Sequence, residues 1–447
     1  MKLCIRNVRL LLENGSVTHG AVLVDSDTGK ILKVGKDISP KEADYALNLS
    51  GKYLLLPGFV DIHVHCRDFD QCHKETLHTC SEAAAAGGVV KIYDMPNTVP
   101  PLNTPDIVKR RIEEASRKCK IIYRLHAGLP EEPEQLYEMY RIGIRSVKLY
   151  PDDIEKLIRD EKLARKFFEK VRELNILILA HCEDPEIVRR EYEKHEKKVE
   201  NHNKIRPPEA EVCQVLKIIS LALSYGVHRL HIVHVSTPDT VDIINRFRKY
   251  LKITCEVTPH HLLLTHEECI ERFRETAGIC KVNPPLRSSD IRKELLRRLL
   301  EGCIDCVASD HAPHSLEEKT RAYDECPPGF PGLETTSLLL LTLWRRGLLE
   351  LQDVIRLYSW NPSRIVGEPL LRIAEGEDAN LVLIDTSRGD KISSQKFRSL
   401  AKYSPFDGFE VDISIVLTLC RGKLVYVNDY YTSEISGIDS IMKSLVQ

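Results

Sequence analysis

The sequence predicts an α/β chain: a (β/α)8 TIM-like barrel with a small β-sandwich domain built from both termini. Three observations carry the prediction. From residue 58 onward, short apolar, β-branched runs alternate with longer amphipathic stretches, the pattern of repeated β-α units around a parallel sheet. Eight such runs fall within about 300 residues, the size and order of a closed barrel. The flanks, by contrast, are short alternating strands broken by Gly, Asp and Asn turns, and neither can fold alone. The division expected is a composite β-sandwich from 1–57 and 366–430 beside a barrel over 58–365.

The strand runs, in order, are "FVDIHVH" (59–65), "VVKIYDM" (89–95), "KIIYRLHAG" (120–128), "IRSVKLY" (144–150), "NILILAHC" (175–182), "RLHIVHV" (229–235), "KITCEVTPHH" (252–261) and "IDCVASDH" (304–311). Between them, apolar residues at three and four spacing mark helices over 104–118, 161–174 and 289–302. Thr104 and Ser289 open two of these, with side chains able to accept orphan amide hydrogens. The charged stretch 183–209 is expected to be a solvated helix and loop over the barrel top.

Bulk composition excludes several functions. Acidic and basic residues nearly balance, 66 against 64 in 447, so no overall field favours nucleic acid or an anionic membrane. The amino-terminal segment alternates like a strand and lacks a secretory signal; the most apolar later stretch, "SLLLLTLW" (337–344), is far below the roughly 18 residues of a span. A cytoplasmic protein is expected. Its fourteen scattered cysteines are read mostly as reduced thiols, and the Cys303–Cys306 pair as part of a buried strand rather than a zinc or redox site.

Periodicity alone also fits an open doubly wound sheet; the polar residues favour the barrel, whose functional groups stand at the carboxyl ends of strands. His63 and His65 end the first run, Lys148 the fourth, His181 the fifth, His234 the sixth and Asp310 the eighth. Alternate strand residues share a face, so His63 and His65 can hold one ion while Val64 packs away, and neutral imidazole suits zinc and similar divalent metals. His195, His202, His228 and His266 sit in charged or helical contexts and are expected at the surface. His126, His260 and His261 are read as structural or as supports for the ligands. Lys148 pairing with Asp152 or Asp153, and Arg67 with Asp68 or Asp70, are the plainer readings of those two cations.

Together "PGFVDIHVHCRD", "HKETLHTCSEAAAAGGVV", "DMPNT", "VNPPLR", "SDHAPH" and "PPGFPGLET" resemble the dihydroorotases, cyclic amidohydrolases of the amidohydrolase superfamily, over nearly the whole chain. The resemblance implies reversible cyclisation of N-carbamoyl-L-aspartate to L-dihydroorotate in pyrimidine biosynthesis. It implies two divalent ions, zinc first: His63, His65 and Asp310 on one, His181 and His234 on the other, and Lys148 bridging as an N-carboxylated lysine. A hydroxide between the ions would attack the ring amide, with Asp310 as acid and base. Arg67, Asn97 and His314 would hold the substrate carboxylate; Asn283 and backbone near Gly329 would contact the ring amide. The partners it leaves open are a second copy of the chain or other enzymes of the pathway. Hydantoinases, dihydropyrimidinases and allantoinases are the nearest alternatives, but they lack the arginine two residues after His-x-His. A non-catalytic binding scaffold is the other alternative, although such relatives lose ligands. Many relatives read Arg-Glu-Pro-Gly after His-x-His, whereas this chain has "RDFDQCHKE".

Overall fold

A computed structural model describes residues 1–36 and 38–445. Each of the eight runs contributes a strand: Phe59–Val64, Val89–Asp94, Ile122–Leu125, Ser146–Leu149, Leu177–Ala180, Arg229–Ile232, Lys252–Val257 and Cys306–Val307. The first three form one parallel sheet and the last five another. Parallel bridges Ala127 to Val147 and Val64 to His311 join the two sheets at both seams. The strands therefore close on themselves, which decides between a barrel and an open sheet.

Strand ends differ from the expectation where backbone chemistry intervenes. The seventh strand stops at Val257 because Pro259 opens a short helix, Pro259–Leu263, that carries His260 and His261 off the ladder. The helices come out as Pro105–Lys118, Glu161–Glu173 and Ser289–Leu300. Two expected caps are corrected. Thr104 occupies the cap position but its side chain accepts no amide bond, Pro105 having already removed one orphan donor. The cap of the third is Ser288, not Ser289, and it too makes no side-chain bond. The second is capped by Asp160, whose carboxylate accepts from Leu163 N at 2.9 Å. That helix buries Ala164, Phe167, Phe168 and Val171, the three and four spacing that turns one stripe inward.

Both ends of the chain share one eight-stranded sheet. Strand Leu381–Asp385 pairs antiparallel with Tyr53–Pro57, which runs parallel to Lys2–Leu11. Side-chain alternation then gives the sheet two faces. Leu54, Leu56, Val382 and Ile384 join the barrel core, while Leu55, Leu381 and Leu383 join a second core closed by Tyr431, Ile438 and Ile441. Among the described residues, no helix is long and apolar enough to cross a membrane. Twelve cysteines are free thiols, and Cys269 and Cys280 form a disulfide within the otherwise reduced set.

Candidate active site

The first barrel strand delivers His63 and His65 to the carboxyl end with their free nitrogens converging. His63 Nδ1 bonds the Glu256 carboxylate, and His65 Nδ1 donates to Asn97 Oδ1 at 2.7 Å. Each contact fixes the tautomer and leaves Nε2 with an exposed lone pair. Both Nε2 atoms point at one oxygen, Asp310 Oδ1, at 3.3 Å and 3.2 Å. Burial pushes His65 down to about 4, so its ring is neutral. Burial alone would raise Asp310, but the neighbouring imidazoles outweigh it and hold the carboxyl well below the usual range. Two imidazole lone pairs and a carboxylate oxygen crowded into one buried spot repel each other unless a cation sits among them; the donor set fits a divalent metal.

A second cluster stands beside the first. His181 Nε2 donates to Glu183 Oε2 at 2.8 Å, which frees Nδ1; that atom lies 2.9 Å from His234 Nε2. Glu183 is gripped by Arg206 through two bonds of 2.9 Å and 2.8 Å. Burial works against its charge, but Arg206 and His181 prevail and keep the carboxyl far below its ordinary range. The rings of His63 and His234 are 5.2 Å apart, which makes the two clusters one constellation.

Lys148 completes it. Its ammonium is buried and has no hydrogen-bond partner, and burial pushes its pKa down to about 8. Asp153 is not its partner, since that carboxylate accepts from Tyr150 N at 2.9 Å. A solitary buried amine among imidazoles is costly as a cation, so this orphaned atom, beside the two histidine clusters, marks a place where a further ligand or charge would be accommodated.

All six side chains line a cavity of about 620 Å³ at the barrel mouth, together with Arg67, Asn97, Asn283 and Gly329. Arg67 is buried, with Nε on Pro313 O at 3.2 Å; Asp68 pairs with Lys118 instead. The loop after His-x-His passes through three successive left-handed residues, Arg67, Asp68 and Phe69, at φ 52°, 57° and 47°. The Asp68 carboxylate stabilises that turn by accepting from the Phe69 and Leu77 amides at 2.8 Å each. His314 stands behind Arg67 rather than on the wall, with Nε2 3.1 Å from Arg67 Nη2. Its Nδ1 accepts from Lys74, so Nε2 carries the proton and donates to Pro328 O at 3.1 Å. The Gly329 amide donates to Lys281 O at 2.8 Å, and its carbonyl accepts from Lys319 Nζ at 2.8 Å.

Some expectations are corrected. His202 is not at the surface: it is 3% exposed, with Nε2 shared between Val282 O and Asn283 Oδ1 at 3.0 Å each. His266 is likewise buried, bonded to Glu200 O at 2.9 Å. The stretch 183–209 folds across the mouth, so Glu183, Asp184 and His202 are interior rather than solvated. His126 spans Ser146 Oγ and Ile62 O inside the barrel, and His261 bonds Thr258 and Pro284 O. Sequence reasoning missed Glu256, Glu183 and Arg206. The first two carried a signal: a lone acid within an apolar strand, and an acid two residues after His181.

Residues 54–425 match the model of the amidohydrolase family. The chain is 38% identical to a dihydroorotase from Pyrobaculum aerophilum, across 85% of this chain and 90% of that one. It is 35% identical to a dihydroorotase from Methanothermobacter thermautotrophicus, across 93% and 94%. Among solved structures it resembles the L-hydantoinase (dihydropyrimidinase) from Arthrobacter aurescens, with a TM-score of 0.85 and 28% identity over 94% of this chain and 95% of that one. A family match over most of the barrel and sheet, joined to relatives of this similarity and coverage, means that the chain belongs to the amidohydrolase family.

Proposed function

We propose that the chain is a dihydroorotase, interconverting N-carbamoyl-L-aspartate and L-dihydroorotate in the cytoplasm. The observation that carries the reading is a buried guanidinium, Arg67, on the wall that holds the two histidine clusters. A ring carboxylate beside the amide to be opened is the substituent such a fork of donors matches. Hydantoin and allantoin offer none. The relatives named dihydroorotase are also more similar in sequence, at 35–38%, than the hydantoinase at 28%.

His63, His65 and Asp310 would hold one divalent cation, His181 and His234 a second, zinc being first among candidates, and carboxylated Lys148 would bridge them. When bound, such a pair acidifies a water and polarises a carbonyl oxygen. The lowered Lys148 pKa leaves more of the amine neutral, the form that adds carbon dioxide. Asp310, kept ionised, would take the proton of the attacking water on its carboxylate and deliver it to the leaving ring nitrogen; in the reverse direction it would return the proton as the ring closes. Asn97 spends its carbonyl oxygen on His65, so its amide hydrogens are available with Arg67 for the substrate carboxylate, and His314 supports that anion from behind. Asn283 similarly has its Oδ1 taken by His202 and can offer NH2 to the ring amide, opposite the Gly329 backbone. The barrel over 58–365 would do this work, with 1–57 and 366–430 as the attached β-domain.

Purified, metal-analysed protein should hydrolyse dihydroorotate and leave hydantoin and allantoin essentially untouched. The reverse preference would assign it to the hydantoinase or allantoinase branch, and absence of bound metal would favour a binding scaffold.

A further inference from the structure

Lys319, at the end of the short helix Leu316–Lys319, is fully buried. Its three N–H donors all end on main-chain carbonyls: Lys281 O at 3.0 Å, Pro327 O at 2.8 Å and Gly329 O at 2.8 Å. These carbonyls belong to two separate segments. One leads directly into Val282 and Asn283, the other contains Pro328 and Gly329, and all four of those residues line the active-site cavity. The Gly329 amide also donates to Lys281 O, so both segments meet under the same ammonium.

The clamp is closely packed. A Cβ at Gly278 would lie 1.9 Å from the Lys319 carbonyl, so the helix lies directly against the 274–280 segment. Lys281 adds its own ammonium to Cys326 O at 2.7 Å, bracing the same loop from the other side. Burial pushes Lys319 down to about 7, and a buried charge answered only by carbonyl dipoles is expensive to keep. Three converging bonds of fixed length are what such a group supplies that an apolar side chain of similar size cannot.

We propose that Lys319 is a positioning residue for substrate binding: it fixes the distance between the Asn283 and Gly329 walls that flank the ring amide. This rests on the dihydroorotase reading for its substrate, but not for its geometry. Lys319 touches none of the six candidate metal ligands through these bonds, so its loss acts on binding before it acts on the metals.

The test is kinetic and structural together. Lys319→Met keeps length and removes all three donors; KM for dihydroorotate should rise about 100-fold, as the two walls that bind the ring lose their preorganised spacing. Turnover should stay within about fivefold and metal content should be unchanged, the split that separates lost binding from lost chemistry. Lys319→Arg keeps a cation but offers a planar fork, and should raise KM about 10-fold. If the Met chain fails to fold, the Arg variant decides: a native KM in it overturns the proposal. So does an unchanged KM in the Met variant, or a fall in turnover and metal content with KM intact. Hydrogen exchange at the Gly329 amide needs no substrate and should quicken at least about 10-fold in either variant; an unchanged rate overturns the clamp whatever the enzyme acts on. Wild-type protein inert toward dihydroorotate, with exchange behaving as expected, would instead sink the substrate assignment alone.

Discussion

Lys148 invites a perturbation whose effects on stability and on activity have opposite signs. Its ordinary pKa of 10.5 falls to about 8 in the folded chain, through burial without a partner. A lysine lowered in this way binds fewer protons folded than unfolded, so stability rises with pH between those two values; the penalty is complete below about 8 and gone above 10.5. At about 1.4 kcal/mol per pKa unit, the shift amounts to a penalty on the order of 3 kcal/mol at pH 7. Lys148→Met fills nearly the same volume without a charge. In chelator-treated protein it should therefore be more stable than wild type at pH 7 by up to roughly that amount, and the rise on the alkaline side should vanish. Urea unfolding at several values between pH 7 and pH 10.5 measures both. The same variant should lose about a thousandfold or more in turnover, because no anion remains to join the two metal positions. A Met variant no more stable than wild type at neutral pH, or a wild-type curve flat across the alkaline range, refutes the account of a solitary buried amine. Full activity in Lys148→Ala without added short carboxylic acids refutes the bridge, and labelled carbon dioxide should appear on Lys148 in the active enzyme.

Other substitutions separate the roles of neighbouring groups. Asp310→Asn should keep much of its metal, measured by elemental analysis, while turnover drops by about 100-fold to 10,000-fold through loss of the proton carrier. Arg67→Lys keeps charge but not the fork, so KM for dihydroorotate should rise about 10- to 100-fold with metal content intact; unchanged kinetics would remove Arg67 from binding. Arg206→Met strands the Glu183 carboxylate in the interior and should cost about 3–5 kcal/mol in chemical denaturation, with weakened metal retention at the His181 position. Chelation should lower the melting temperature of wild type by more than that of a His181→Ala, His234→Ala double variant, since ligands released to repel one another no longer share a cation.

Much of this arrangement was legible in the linear chain. The eight strands announced themselves because a barrel strand is packed on both sides and becomes a β-branched run, and the His63 and His65 pair because a period of two puts both on one face. Much of what failed comes from partners that the fold, not the local sequence, brings together. Glu256 meets His63 across 193 positions, and although a lone acid in an apolar strand hints at burial, nothing local names its partner. His202 sits among charges in the sequence, yet the fold lays its helix over the mouth and turns the ring toward Asn283. Glu183 and Arg206 are only 23 residues apart, but both lie in a stretch whose composition suggests solvent. The caps at Thr104 and Ser289 were misjudged by the local geometry of one turn, which composition does not specify.

The sheet shared between the two ends of the chain sets a schedule for synthesis. Strand Tyr53–Pro57 emerges from the ribosome long before Leu381–Asp385, its hydrogen-bonding neighbour, has been translated. Until then the early sheet, in which Tyr53–Pro57 flanks the hairpin of Lys2–Leu11 and Val17–Asp25, carries an open edge at Tyr53–Pro57, and the barrel must assemble between unpaired flanks. Losing strand Leu381–Asp385 therefore does more than shorten the chain: it leaves the earlier-made strand Tyr53–Pro57 without the companion that seals it, and exposes that edge to other nascent chains.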